Sequence, residues 1–351
     1  MMMRGCLGLV ALGVAACGTS EHGAAAGDSA HHTRDSANGV AVAATANGDT
    51  SRAPAGQGAG PKGNLAANRL GRIPVLEYHV VGDSTRGQFI ISRDKFEQDL
   101  QLLYDRGYRP ITVSQLLDKD FRDVPVGMSP VVFTFDDASP EQFSYVEQNG
   151  KLEIDPKTVI GMWVAFNQKH PDWKNRATFC LLPAAQAGHA FFGDNPKYRG
   201  QKKEWRFLKV KWLADNGFEL CNHTLWHAQL NKYPDAFVQE QIARGAMAID
   251  SAVPGYKIRT FALPQGLWPK NRALAWRGSW TDPKSGKTVN YAYETVLEVS
   301  GGPVRSPFDP QFDKTKITRL IAFGNELQRA LDGLDANKSR FVWDGGGMAS
   351  R

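Results

Sequence analysis

What most constrains the fold of this chain is an alternation of short apolar strands and helical stretches that continues for about 250 residues. Ile73–His79 reads as a strand that ends at a Gly82-Asp83 turn. Ser92 then caps a helix with Phe96, Leu100, Leu103 and Tyr104 at three- and four-residue spacing, ending at Gly107. Val131–Phe135 is continuously apolar, the pattern of a strand buried on both faces. Further strands are expected at Ala177–Leu182, Phe218–Cys221, Ile258–Leu263, Tyr291–Val299 and Ile317–Phe323. Helices are expected at Trp205–Asn216, stopped by Gly217, and at Asn325–Leu334. Such alternation predicts an α/β fold, a single distorted (β/α) barrel with a parallel sheet. Asp155–Trp173 and Gly188–Glu204 read as longer, more aromatic insertions, either walls of a groove or decoration.

Ahead of this region the composition changes. Met1–Arg4 is short and basic, Leu7–Ala16 is apolar, and the run stops at Val14-Ala15-Ala16-Cys17. An apolar run too short to span a bilayer, ending in small residues, is an export signal. Its ending resembles the lipobox of bacterial lipoproteins, which implies removal of residues 1–16 and lipidation of Cys17; the plainer alternative is an ordinary signal with an incidental cysteine. Gly18, with no Asp, resembles the pattern that permits transfer to an outer membrane where one exists. From there to residue 69 the chain is rich in Ala, Gly, Ser, Thr and Asn. It lacks the apolar surface to offset its chain entropy, so a flexible tether is expected. Its typical reach is about 40 Å. The remainder then divides into a domain at 70–335 and a tail at 336–351. With Cys6 in the signal and Cys17 lipidated, Cys180 and Cys221 remain, and a disulfide and two buried free thiols are equally open.

Lys and Arg total 42 against 36 Asp and Glu, a net charge of +6. The cations are spread along the chain without a basic arm, which argues against nucleic acid as a partner and leaves weak attraction to anionic glycans open.

The chemistry concentrates at two strand ends. Thr134-Phe135-Asp136-Asp137 closes the buried strand with adjacent carboxylates, where parallel sheets bind ligands. Two neighbouring acids are costly unless a cation neutralises one, although a solvated turn is the common explanation of a lone Asp-Asp pair. The chain has eight histidines, and two of them, His223 and His227, stand four apart after another core strand. Two imidazoles and one carboxylate are a ligand set that leaves positions open for water and substrate.

At these residues the sequence resembles the polysaccharide deacetylases, the NodB-homology group of carbohydrate esterases. Thr134–Asp137 reproduces their first motif, Thr-Phe-Asp-Asp, and His223-Thr224-Leu225-Trp226-His227 their second, His-(Ser/Thr)-x-x-His. Ala177-Thr178-Phe179 and Gly217-Phe218-Glu219-Leu220 resemble the flanking segments, and the likeness runs from about Ile73 to Phe323. It implies a barrel of the NodB type, with Asp137, His223 and His227 holding a divalent metal, zinc first and cobalt, nickel or manganese as substitutes. Asp136 is implied as the general base and Thr224 as support for the histidine loop.

The third motif departs from the pattern. Where the family often has Arg-x-Pro-(Tyr/Phe)-Gly, this chain has Ala262-Leu263-Pro264-Gln265-Gly266. The usual arginine partner of the base is absent. Pro264 and Gln265 occupy the pocket position, where a backbone N–H of Gln265 would still serve the oxyanion. No Leu-x-His supplies a late general acid, and no histidine follows His227. Val75-Leu76-Glu77-Tyr78-His79 resembles instead a subgroup that includes deacetylases of exported poly-N-acetylglucosamine, which makes His79 the expected acid. His22, His31 and His32 fall in the tether, and His170 and His189 in or beside the insertions.

The expected function is hydrolytic deacetylation of an envelope or extracellular polysaccharide by a monomeric, membrane-anchored lipoprotein. A catalytically idle glycan-binding member of the same fold is the rival. A phosphoesterase is disfavoured because such enzymes commonly need two metals and more ligands.

Overall fold

Runs of β-branched and aromatic residues, closed off by Gly and Pro, set up nine parallel strands in one sheet. They are β1 (Val75–Tyr78), β2 (Tyr108–Ile111), β3 (Ser129–Phe135), β4 (Thr178–Leu181), β5 (Glu219–Asn222), β6 (Thr260–Ala262), β7 (Thr295–Leu297), β8 (Lys316–Ile317) and β9 (Leu320–Ile321). The computed structural model describes residues 65–83, 87–185 and 189–346. The expected signal, Cys17 and most of the tether lie outside the described residues. No helix among the described residues is long and apolar enough to cross a membrane.

Eight strands form one row in the order β8-β7-β6-β5-β4-β3-β1-β9, and β2 pairs with the first half of β3. The last strand thus returns to lie beside the first, with Leu320 opposite Leu76 and Ile321 opposite Glu77. This is the expected distorted (β/α) barrel: a curled parallel sheet whose β8 and β9 do not pair. Helices α1 (Arg93–Asp105), α2 (Val113–Leu117), α3 (Val159–Lys169), α4 (Arg206–Asp215), α5 (Asp235–Ala252) and α6 (Glu326–Ala336) join or follow the strands.

Side chains alternate between the two faces of a strand, and that period sorts the core. Val75, Val132, Cys180, Cys221, Ala262, Leu297 and Ile317 form one buried cluster with Phe121, Phe341 and Trp343. Leu76, Phe133, Phe135, Phe179 and Leu220 belong to another, packed with Phe96, Leu100, Trp163 and Leu213 of the helices. Advancing two residues from the first set gives Glu77, Thr134, His223 and Arg319 beside Leu182, Pro264 and Val299, so the face that is apolar lower down gains polar and ionisable groups at the carboxyl ends of the strands. Cys180 and Cys221 stand opposite one another on β4 and β5 and form a disulfide.

Several expected elements change. Asp155–Trp173 is no insertion: it carries α3, whose Val159, Ile160 and Trp163 are buried, so it is the crossover helix of a β-α-β unit. The strand expected at Tyr291–Val299 divides into Thr288–Ala292, an arm of an antiparallel hairpin with Arg277–Thr281, and β7. That expected at Ile317–Phe323 divides into β8 and β9 around Arg319. The sequence reading did not single out α5, an 18-residue helix and the longest described. Near the C-terminus, Phe341 and Trp343 are buried against Phe121 and Phe308.

Candidate active site

Three strands deliver the site, β1 and β3 side by side and β5 beyond β4. Asp136 and Asp137 follow β3, His223 follows β5, and His79 follows β1. Asp137 and Ala138 turn immediately into left-handed backbone, with φ of 75° and 49°. The histidine loop does the same at Thr224 (φ 69°) and His227 (φ 66°), and Gln265 at φ 55° faces it from the β6 end. A β-branched residue at positive φ is unusual, and such strain gathers where the surrounding structure holds a functional geometry.

The loop is braced from behind. Asn222 donates to the Ile242 carbonyl at 2.8 Å and to Tyr293 Oη at 2.6 Å, and its Oδ1 accepts from Thr224 N. Thr224 Oγ1 accepts from His227 N at 3.1 Å. A Cβ at Gly245 of α5 would lie 2.4 Å from Asn222 Oδ1, so only glycine lets the helix approach this closely.

The outcome is convergence. His223 Nε2 and His227 Nε2 point at Asp137 Oδ1 from 3.4 and 3.5 Å. One ligand atom from each of these three residues falls within 4.8 Å of the others. His223 Nδ1 lies 2.9 Å from the Ala262 carbonyl, which can only accept, so Nδ1 carries the proton and Nε2 presents its lone pair. His223 Nε2 and Asp137 Oδ1 are buried without a hydrogen-bond partner. Orphaned atoms of this kind call for an explanation, and a divalent cation among them fits both the donor set and the geometry.

Asp136 sits beside this cluster and is fully buried. Burial alone would push its carboxyl up, but Arg319 and His223 outweigh it and hold the group below the ordinary carboxylate range. The guanidinium forks onto both oxygens, Nη1 to Oδ1 and Nη2 to Oδ2, each at 2.8 Å. Arg319 is itself anchored to the Glu298 carbonyl at 2.8 Å and to Thr134 Oγ1 at 3.1 Å. Asp137 is also held low: burial opposes the shift, while His223 drives it. His223 is raised by Asp136 and Asp137 against the effect of burial; the proton they favour there is the positive charge that a bound cation would replace. His227 is pushed down to about 4 by burial and by His223.

His79 stands on the same rim, its Nε2 3.6 Å from Glu77 Oε1. Gln142 ties it to the base, donating to both the His79 and Asp136 carbonyls. Burial lowers its pKa, opposed by Asp136 and Asp137. Glu77 is pushed up to about 8 by burial, with Arg319 opposing from 3.4 Å. Glu77, His79 and Asp136 also cluster within 4.8 Å. That second group is a poor cation site, because the Arg319 charge already lies against both of its carboxylates.

Gln265 and Pro264 occupy a short turn after β6, and Gln265 Oε1 accepts from Gln229 Nε2 at 2.9 Å. His170 stacks on Tyr104 and Phe166, among residues of α1 and α3. Sequence reasoning missed Arg319 and Glu77. The third motif's lost arginine is compensated from the link between β8 and β9, so the expectation that Asp136 lacks an arginine partner is overturned. The signal was present: a charged residue within each of two apolar strands, Ile317–Phe323 and Ile73–His79, which requires a partner once buried.

Residues 174–277 match the polysaccharide deacetylase family model. No curated protein sequence matches the chain. Among solved structures, the chain is similar to a candidate polysaccharide deacetylase from Bacillus anthracis, at 17% identity and a TM-score of 0.50 over 74% of this chain and 68% of that one. A polysaccharide deacetylase from Bacillus cereus is similar at 17% identity and a TM-score of 0.50, over 75% and 69%. Residues 174–277 thus match the polysaccharide deacetylase family, and the fold is shared with solved structures described as polysaccharide deacetylases.

Proposed function

We propose that the protein is a metal-dependent hydrolase that removes acetyl groups from an envelope or extracellular polysaccharide, with an N-acetyl amino sugar as the first choice and an O-acetyl sugar as the second. The observation that carries this reading is a buried carboxylate, Asp136, forked by Arg319 and set beside the orphaned Asp137–His223–His227 cluster. A pure binding site has no need of an ionised base at that point.

In this reading Asp137, His223 and His227 hold one divalent ion, zinc in the first instance. A carboxylate held this low is a weak base, so the reaction needs the acidic water and the polarised acetyl carbonyl that such an ion supplies when bound. Asp136 takes the proton of the attacking water. Arg319 uses one lone pair of each Asp136 oxygen and leaves the others free to accept. As the water oxygen bonds to the acetyl carbon, the backbone N–H of Gln265 receives the developing oxyanion. His79 gives a proton to the departing nitrogen, the C–N bond breaks, and acetate and a free amine leave.

The rival reading, an idle glycan binder, drew on the missing third-motif arginine; with Arg319 against Asp136 it loses that support. An exported, lipid-anchored location belongs to the same proposal. The Cys180–Cys221 disulfide supports it, because such bonds persist in oxidising compartments. The test is acetate release from poly-N-acetylglucosamine, peptidoglycan, chitin fragments and acetylated xylan, with and without chelator. Chelator-sensitive release is expected from at least one N-acetylated polymer. Metal-replete protein that releases none from any of them overturns the proposal.

A further inference from the structure

The second expected insertion, Gly188–Glu204, lies in the connection from β4 to α4, and three backbone hydrogen bonds give that connection a place in the site. Ala184 N donates to the Leu225 carbonyl at 3.1 Å, inside the loop of His223 and His227. Phe191 N donates to the Leu182 carbonyl at 3.0 Å, which folds the connection back on itself. Phe192 N donates to the Ala138 carbonyl at 2.8 Å, one residue past Asp137. The same connection thus touches both loops that carry the candidate ligands. Asp137 and Ala138 need such a hold, because both sit at positive φ and neither is glycine.

The connection is strained in turn. Phe191, Phe192 and Gly193 stand at φ of 43°, 66° and 87° in succession, and a bulky residue keeps such a backbone only where its surroundings over-determine it. Lys209, on α4, supplies that constraint. Its Nζ donates to the Phe192 carbonyl at 2.6 Å, to the Gly193 carbonyl at 3.0 Å and to Gln201 Oε1 at 3.4 Å. Three donors meet three acceptors. Gln201 is buried too, and it bonds the backbone N–H and carbonyl of Tyr145 at 3.1 and 3.0 Å, further along the chain from Asp137. Packing closes the other side: a Cβ at Gly193 would come within 2.9 Å of Pro140 Cγ. The lysine is a costly way to hold a turn. It is wholly buried, and burial pushes its pKa down to about 7, with Asp194 opposing. An interior cation held by neutral acceptors costs more than an apolar residue of that size, and the hydrolysis itself makes no use of it.

We propose that Lys209 is a positioning residue for the candidate ligand set: it locks the turn at 191–193, and the connection that carries this turn holds the Asp137 corner and the histidine loop in one geometry. Lys209 acts through backbone hydrogen bonds, not on the reacting atoms. This rests on the reading of Asp137, His223 and His227 as ligands to a divalent ion and adds the device that sets their spacing.

The test measures Zn²⁺ and Co²⁺ affinity by chelator competition, with the cobalt d–d spectrum reporting ligand geometry. Lys209→Met keeps the apolar stem and removes the donors. It should bind both ions about tenfold more weakly, the lower end of the usual effect of residues behind a metal ligand, and its cobalt band should shift or weaken. Lys209→Gln keeps two donors and should fall between Lys209→Met and the wild type. Val210→Ala, at the buried neighbour on the same helix, should lose stability in urea and leave affinity and spectrum unchanged, which separates positioning from stability alone. A measurement on the wild type stands even if a variant fails to fold. Coupling is reciprocal, so adding Zn²⁺ should slow hydrogen exchange at the Ala184 and Phe192 amides by about tenfold. Wild-type affinity in Lys209→Met, equal weakening in Val210→Ala, or exchange at those amides that metal does not slow overturns the proposal and leaves the ligand assignment standing. Wild-type protein that binds neither ion overturns both.

Discussion

Replacing Arg319 by methionine removes the one cation that forks onto Asp136. The volume and the aliphatic stem are largely kept, while two 2.8 Å charge-assisted bonds to the carboxylate are lost. Breaking a buried pair from one side typically costs about 3–5 kcal/mol, because the remaining charge has no compensation. The stranded charge is that of Asp136 alone, because burial has already pushed Glu77 up to about 8 and leaves it largely protonated at neutral pH. The loss should depend on pH. In the wild type the depressed Asp136 contributes stability above the ordinary carboxylate pKa, lost as pH falls through its folded value. Without Arg319, burial becomes the dominant influence and raises the folded pKa above the unfolded one. The penalty is then absent in acid and grows as pH rises through the unfolded value to the raised one. Urea unfolding at pH 4 and pH 7.5 should therefore show a gap between variant and wild type that widens towards neutrality. Acetate release should fall by about 10²–10⁴-fold at neutral pH, the usual contribution of a positioned base. Arg319→Lys should recover part of the stability and little of the rate, since a point charge cannot make the fork. In Arg319→Met/Asp136→Asn no charge is stranded at position 136, and at least about 2 kcal/mol of the single-variant loss should return. A single variant that loses under about 1 kcal/mol, with an unshifted rate profile, refutes the reasoning.

Four further outcomes are expected. Elemental analysis should find about one divalent ion per chain and strong loss in His223→Ala/His227→Ala; full occupancy of that variant removes the ligand assignment. Asp136→Asn should keep metal and lose turnover, whereas Asp137→Asn should lose both, and equal metal loss in the two would make Asp136 a ligand. His79→Ala at matched metal content should impair an N-acetyl substrate far more than an aryl acetate, whose phenolate leaves unaided; equal losses would exclude His79 as the acid. Cys180→Ala/Cys221→Ala should destabilise the fold by about 2–4 kcal/mol in urea, and identical midpoints with and without the pair would show that the bond is dispensable.

Much of this was legible in one dimension. The barrel followed from strand–helix alternation, since apolar runs bounded by turn residues must pair and cover their faces. Asp136-Asp137 and His223-x₃-His227 were readable because their meaning is local: adjacent acids after a buried strand, and imidazoles one turn apart. What the sequence could not show is what depends on register and return topology. Tyr291–Val299 is rich in aromatic and β-branched residues on either side of Glu294, and only the packing of β7 against β6 decides where the hairpin ends and the sheet begins. Arg319 is separated from Asp136 by 183 positions, and no local pattern links them. They meet because β9 returns beside β1, which itself pairs with β3. The Cys180–Cys221 bond was undecided for the same reason: it required β4 and β5 to be neighbours with those two residues opposite each other. Residue types and spacing determined which groups this protein has for its chemistry. The closing of the sheet determined their partners, because a buried charge is stabilised by whatever the fold brings within about 3 Å, wherever that group lies in the chain.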